Sequence, residues 1–144
     1  MIYRKWKFED NIRIAEIEKD CFPDPWSNQM LADAFLSGNF SGLVAEENGE
    51  IAGFIAVKYC LDEGEINIVA VKEKYRRKGV ASALMKKEED LLKKTGVEKL
   101  YLEVRESNAA AQSLYEKLGY KYSGTRKNYY GGTENALIMS KVLK

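Results

Sequence analysis

The chain has no histidine among its 144 residues. Catalysis by serine–histidine or cysteine–histidine pairs is therefore excluded, as are the usual histidine-ligated zinc sites. A proton donor or acceptor must be a carboxylate, a phenol, a thiol, an amine or a water held by one of them. Three stretches offer such groups. Glu103 lies near the end of the apolar run Leu100-Tyr-Leu-Glu-Val104. Partial desolvation there would suit it to general-base work, whereas an ion pair with the neighbouring Arg105 would make it an ordinary strand carboxylate. Tyr115 lies between Asn108 and Tyr120, in a segment of helical periodicity. Its phenol could protonate a leaving anion or simply pack against the core.

The third stretch, Glu65 to Leu84, begins as a strand and ends as a helix. Glu65 at its start is a second candidate base, while Glu63 belongs to a turn. Between strand and helix lie Arg76, Arg77 and Lys78, followed by Gly79. Unpaired N–H groups and the dipole at a helix N-terminus attract an anion, and glycine lets a phosphate approach the backbone. The small Ala81 keeps the next amides open, so residues 77–82 could form an anion nest. A solvated basic turn that caps a helix has the same composition. Neither Gly-x-x-x-x-Gly-Lys-Ser/Thr nor Gly-x-Gly-x-x-Gly occurs, which argues against nucleotide hydrolysis and nicotinamide binding. Arg126-Lys-Asn-Tyr-Tyr-Gly-Gly132 is expected as a solvated hairpin loop or as a mobile aromatic wall over a peptide groove. Phe22-Pro-Asp-Pro-Trp-Ser27 supplies packing anchors at a turn.

The elements that must position these groups follow from pattern and punctuation. Ile2 to Lys7 is a first strand, and a helix runs from Glu9–Asp10 to Cys21. Two prolines break regularity, Ser27 caps a second helix ending before Gly38-Asn39, and Asn48-Gly49 joins strands Ser41 to Glu46 and Ile51 to Tyr59 as a hairpin. Asp62-Glu63-Gly64 is a turn into the strand Glu65 to Val71, completing an antiparallel meander. A helix over Ala81 to Lys94 stops at Thr95-Gly96. Leu100 to Val104 is a strand with Leu100, Leu102 and Val104 on one face. A last helix, Ala109 to Leu118, is capped by Ser107 or Asn108, and strands Tyr120 to Ser123 and Glu134 to Val142 close the chain. The order reads as one domain, residues 1–144, of mixed α/β layers.

Composition narrows the partners. With 45% hydrophobic residues the chain can build a core, and 23 basic against 22 acidic residues give a net charge of +1. That balance makes no case for nucleic acid. Apolar runs fall well short of about 18 residues, so no membrane span is expected, and no secretory signal is visible. Cys21 and Cys60 are isolated and cannot form a four-thiolate site, so no metal is expected. A cytoplasmic monomer is the default expectation.

Taken together, Arg76-Arg-Lys-Gly79-Val-Ala81, Ile68-Val-Ala-Val71, Leu102-Glu-Val-Arg-Glu-Ser-Asn-Ala-Ala-Ala111, Leu114-Tyr-Glu-Lys-Leu-Gly-Tyr120, Arg126-Lys-Asn-Tyr-Tyr130 and Pro25-Trp-Ser27 resemble the GCN5-related N-acetyltransferases (GNAT). Within them the chain is similar, along its whole length, to the bacterial ribosomal-protein-alanine N-acetyltransferases. The resemblance implies a mostly antiparallel twisted sheet of about seven strands with about four helices, in the order β-α-α-β-β-β-α-β-α-β-β. It implies direct acetyl transfer from acetyl-CoA, without a metal, to the N-terminal alanine of a small-subunit ribosomal protein. Glu103 would be the base and Tyr115 the acid. The backbone of Val69, Ala70 and Val71 would pair with the pantetheine arm. Amides from Arg77, Lys78, Gly79, Val80, Ala81 and Ser82 would hold the pyrophosphate, and Asn108 would hydrogen-bond the cofactor. Ala81 stands where glycine is commoner in the family, and Asn135 where an acidic residue is frequent. Other N-termini, lysine side chains or small amines are alternative acceptors, and a non-catalytic acyl-CoA-binding module is an alternative of another class.

Overall fold

Seven strands and four helices appear in the computed structural model, which describes residues 1–22 and 25–143. They are β1 (Ile2–Lys5), α1 (Asn11–Cys21), α2 (Asn28–Phe35), β2 (Phe40–Glu47), β3 (Glu50–Cys60), β4 (Glu63–Val71), α3 (Val80–Thr95), β5 (Lys99–Arg105), α4 (Ala109–Lys117), β6 (Lys121–Tyr130) and β7 (Glu134–Val142). The expected order of elements holds. The proline-rich break falls partly on residues 23 and 24, outside the described residues.

All seven strands join one sheet in the order β1-β2-β3-β4-β5-β7-β6. Neighbours pair antiparallel except β4 and β5, which run parallel across the α3 crossover. The Asn48-Gly49 turn has positive φ at both residues, 53° and 80°, as a two-residue hairpin requires. Helices cover both faces. On one, α3 through Leu84, Met85 and Leu92, and α4 through Ala111 and Leu114, pack onto the cluster that holds Ile55, Leu100 and Leu102. On the other, Ile14 and Ile17 of α1 and Leu31 of α2 meet Trp6, Val44 and Phe54. Ser27 Oγ accepts from Met30 N and Asn108 Oδ1 from Ala111 N, so α2 and α4 start on the caps their sequences offered.

Two expectations are corrected. The turn before β4 is at Leu61–Asp62, not Asp62–Gly64: Leu61 takes φ 57° and Glu63 already pairs with Cys60. The tyrosine-rich segment is strand, not loop. β6 extends to Tyr130, with a register shift between Arg126 and Tyr130 where Asn128 takes φ 53° and its N–H donates to Asn135 Oδ1. Nearly every residue of this edge strand is exposed, so no apolar alternation marks it.

Tyr120 anchors the end of α4 from inside the core. It is 1% exposed, and its hydroxyl donates to Glu89 Oε2 at 2.8 Å while Lys141 holds Oε1 at 2.8 Å. Tyr120→Phe removes the donor from a largely buried carboxylate. Urea denaturation should show a loss of about 1–3 kcal/mol; an unchanged midpoint would mean that Lys141 alone satisfies Glu89.

Candidate active site

The site begins with a ladder that stops. β4 and β5 pair from Glu63↔Lys99 to Ile66↔Leu102 and no further. On its other side β4 stays paired with β3 as far as Gly53↔Val71. The register of that second ladder slips by one at Asn67: Ile66 faces Val57, Ile68 faces Ala56, and Asn67 is the extra residue of a bulge. A bulge bends its strand and increases its twist. It also changes the side-chain phase. Ile66 packs under α3, whereas Ile68 and Ala70 pack under α1 and α2, and Val69 and Val71 turn toward the α3 face.

The hydrogen-bond phase of the β4 edge follows. Lys72 N donates to Ala52 O at 2.8 Å, which makes Val71↔Gly53 a non-hydrogen-bonded pair of the β3–β4 ladder. Val71 and, two residues back, Val69 therefore direct their N–H and C=O away from β3, into the gap beside β5. Ala70 directs its own toward β3. Arg76 Nε donates to Val71 O at 2.8 Å. The edge thus offers the N–H and C=O of Val69 and the N–H of Val71. This contact directs Arg76 back along the β4 edge.

At the end of β4 the chain reaches α3 through Gly79, which takes φ 77°. A Cβ there would meet nothing within 4 Å, so glycine is needed for its backbone angle and the space beside it is open. Arg77 also has positive φ, 64°. No side chain caps α3, and Ala83 N is the first amide to bond back, to Gly79 O at 3.0 Å. The amides of Val80, Ala81 and Ser82 precede it and have no intrahelical acceptor. Arg77 and Lys78 are exposed and, among the described residues, unpaired by any carboxylate. Asn108, at the start of α4, already spends Oδ1 on its own helix.

A groove of about 430 Å³ opens on the sheet face opposite α3. Glu63, Glu65, Tyr101, Glu103, Lys58 and Arg126 line it. The parallel register places Glu65 beside Tyr101, one alternation before Glu103. Glu63 lines the groove as part of the strand, with Tyr101 Oη donating to it at 3.5 Å. Glu103 does not pair with Arg105. Arg126 reaches it across β7, Nε to Oε1 at 3.1 Å, passing the small Ala136. Arg105 is held instead by Glu134 at 3.0 Å and stacks on the Tyr130 ring at 4.2 Å.

Tyr115 lies on the other face, half-buried, its ring 6.2 Å from that of Tyr120. Burial, and then the Tyr130 phenol, push its hydroxyl up to about 12. It therefore keeps its proton throughout the neutral range. Tyr130 is raised as well, by burial first and then by Glu103. One tyrosine, Tyr130, thus stands within electrostatic reach of both Glu103 and Tyr115. The bulge at Asn67, the turning of Arg76 and the reach of Arg126 went unread in the sequence. None carries a local signal: an asparagine inside an apolar run, one of three adjacent cations, and a pair 23 positions apart.

These features have counterparts in known proteins. The model of the acetyltransferase (GNAT) family matches residues 11–120. The [ribosomal protein bS18]-alanine N-acetyltransferase of Escherichia coli K12 is 39% identical over 127 residues, 86% of this chain and 85% of that protein. The protein of the same name from Haemophilus influenzae is 39% identical over 132 residues, 89% of each. The crystal structure of the ribosomal-protein-S18-alanine N-acetyltransferase from Escherichia coli superposes with a TM-score of 0.92 at 34% identity, covering 99% of this chain and 94% of that one. With the parallel pair, the bulged strand and the glycine-capped helix all lying inside the matched span, the chain belongs to the acetyltransferase (GNAT) family.

Proposed function

We propose that the protein transfers an acetyl group from acetyl-CoA to the N-terminal α-amine of a small-subunit ribosomal protein, with alanine as the accepting residue. The observation that carries this reading is the open β4 edge beside the Glu103 groove, in a chain whose relatives are named for alanine N-acetylation of bS18. The cytoplasm, where ribosomal proteins are made, is the proposed setting.

The chain's own residues supply each part. Val69, through N–H and C=O, and Val71, through N–H, pair with the pantetheine arm as an added strand would. Ala70, expected to join them, makes no such pair: its main chain serves β3 and its side chain packs under α1 and α2. The amides of Val80, Ala81 and Ser82, with the charges of Arg77 and Lys78, hold the pyrophosphate, and Gly79 gives it room. Asn108 has its amide Nδ2 left for the cofactor. An amide of the β4 edge polarises the thioester carbonyl.

Protein α-amines have a reference pKa of about 7.7–8.0, so little help is needed to expose the lone pair. Glu103 accepts the proton that the nitrogen must lose as its bond to the carbonyl carbon forms. Tyr115 donates its phenolic proton to the sulfur as the carbon–sulfur bond breaks, and is then reprotonated from solvent. Glu103 returns its proton to solvent as Tyr115 recovers one, so a neutral amine is acetylated with no net proton change and an ammonium with the release of one.

The defining experiment incubates the protein with acetyl-CoA and peptides bearing N-terminal alanine, other N-termini, or a blocked N-terminus and one lysine. Mass spectrometry should find the acetyl group on the α-nitrogen of the alanine peptide; its absence there sinks the reading. Tyr115→Phe should cut kcat by about 10²-fold with little change in acetyl-CoA affinity. In the wild type, with the phenol near 12, kcat should not fall between about pH 8 and 10 through loss of this proton. Undiminished turnover in the variant would remove Tyr115 from the chemistry. Gly79→Glu puts a carboxylate beside the helix N-terminus and forces φ 77° on a side chain. Calorimetry should record acetyl-CoA binding weakened by about tenfold or more, and wild-type affinity would overturn the pyrophosphate assignment.

A further inference from the structure

Both strand carboxylates nearest the centre of the groove face a cation of the same sheet. Glu103 is 15% exposed and bonded through Oε1 to Arg126, which is 56% exposed on the edge strand β6. Glu65 is the cross-strand partner of Lys58, and both line the groove. Glu63, at the outer end, receives the Tyr101 hydroxyl. Tyr130 is the further titratable neighbour of Glu103. Of these carboxylates Glu103 is, among the described residues, the one held in an ion pair, so an ammonium group reaching it finds its charge already matched. To contact Glu103 it must approach a guanidinium that keeps its charge at every accessible pH.

That arrangement separates the two kinds of protein amine. At about pH 7.5 roughly a third of α-amines are neutral, against about one in a thousand lysine ε-amines. A neutral amine can approach beside Arg126 without repulsion; an ammonium cannot. We propose that Arg126 is the residue that makes this site select α-amines over lysine ε-amines, an inference that rests on the N-terminal acetylation proposed above. Arg126 Nε contacts Glu103 Oε1 at 3.1 Å, and the second oxygen that every carboxylate carries can take the proton released during attack. Arg126 thus filters acceptors by charge without blocking the base. Its side chain is 56% exposed and lies beside the exposed Tyr129 ring at 5.4 Å, so its removal changes the groove more than the fold.

The test measures kcat/KM for two peptides, one with a free N-terminal alanine and no lysine, the other Nα-blocked with a single lysine. Wild type, Arg126→Gln and Arg126→Lys are compared at saturating acetyl-CoA. Arg126→Gln should shift the lysine-to-alanine ratio toward lysine by about tenfold or more, with acetyl-CoA affinity retained. Arg126→Lys, which restores the charge, should return the ratio toward that of the wild type. An unchanged ratio in Arg126→Gln, with the wild type still modifying the alanine peptide, overturns the role of Arg126 alone. A wild type that prefers the lysine peptide overturns the N-terminal reading, and this inference with it.

Discussion

Beyond Ile66, β4 keeps a hydrogen-bonding neighbour on one side and loses it on the other. Backbone N–H and C=O groups demand partners, and a sheet would ordinarily close such a gap. Here it cannot. β4 is tied to β3 as far as Val71, and β5 is tied to β7 over all seven of its residues, Lys99 to Arg105. Each wall of the gap thus belongs to a different half of the sheet, and the bulge at Asn67 bends one wall away. The open edge of Val69 and Val71 is a product of that divided allegiance.

The rest of the site is arranged around the two walls. α3 crosses from β4 to β5, so its uncapped N-terminus falls where β4 ends, with Val80, Leu84 and Met85 locking it to the sheet. Tyr115 is carried on the same face as α3, Glu103 on the opposite one. A molecule running through the gap would meet a phenol from one side and a carboxylate from the other. Because strand side chains alternate, Leu102 and Val104 enter the core while Glu103 between them must face the groove.

Much of this was legible from residues alone. Asn48-Gly49, Ser27, Asn108, Gly79 and Gly96 each act where their chemistry favours one backbone geometry, and the helices end where they predict. The apolar alternation of Leu100, Leu102 and Val104 fixed which way Glu103 points. Failures came where geometry depends on neighbours in space. Leu61 adopts a left-handed turn without glycine, and β6 is held by β7 rather than by burial of its own side chains. Glu103 finds Arg126 only because β7 lies between β5 and β6 with alanine at position 136. The resemblance to acetyltransferases drew the anion loop, the carboxylate and the phenol into one site; the spacing of the residues could not.

The exposed, irregular β6 has another consequence. A sheet with free edges invites strands from other molecules, and the proposed function needs one edge to accept an extended ligand. The outer boundaries are poor templates. β1 is four residues long, and β6 carries Lys121, Arg126 and Lys127 with two interruptions of register. Short length, positive charge and bulges all discourage further pairing. The receptive edge is instead recessed between β4 and β5, in a slot with β5 as its far wall. Aggregation by strand addition is thereby discouraged at the rim, while an unpaired strand edge is kept at the centre.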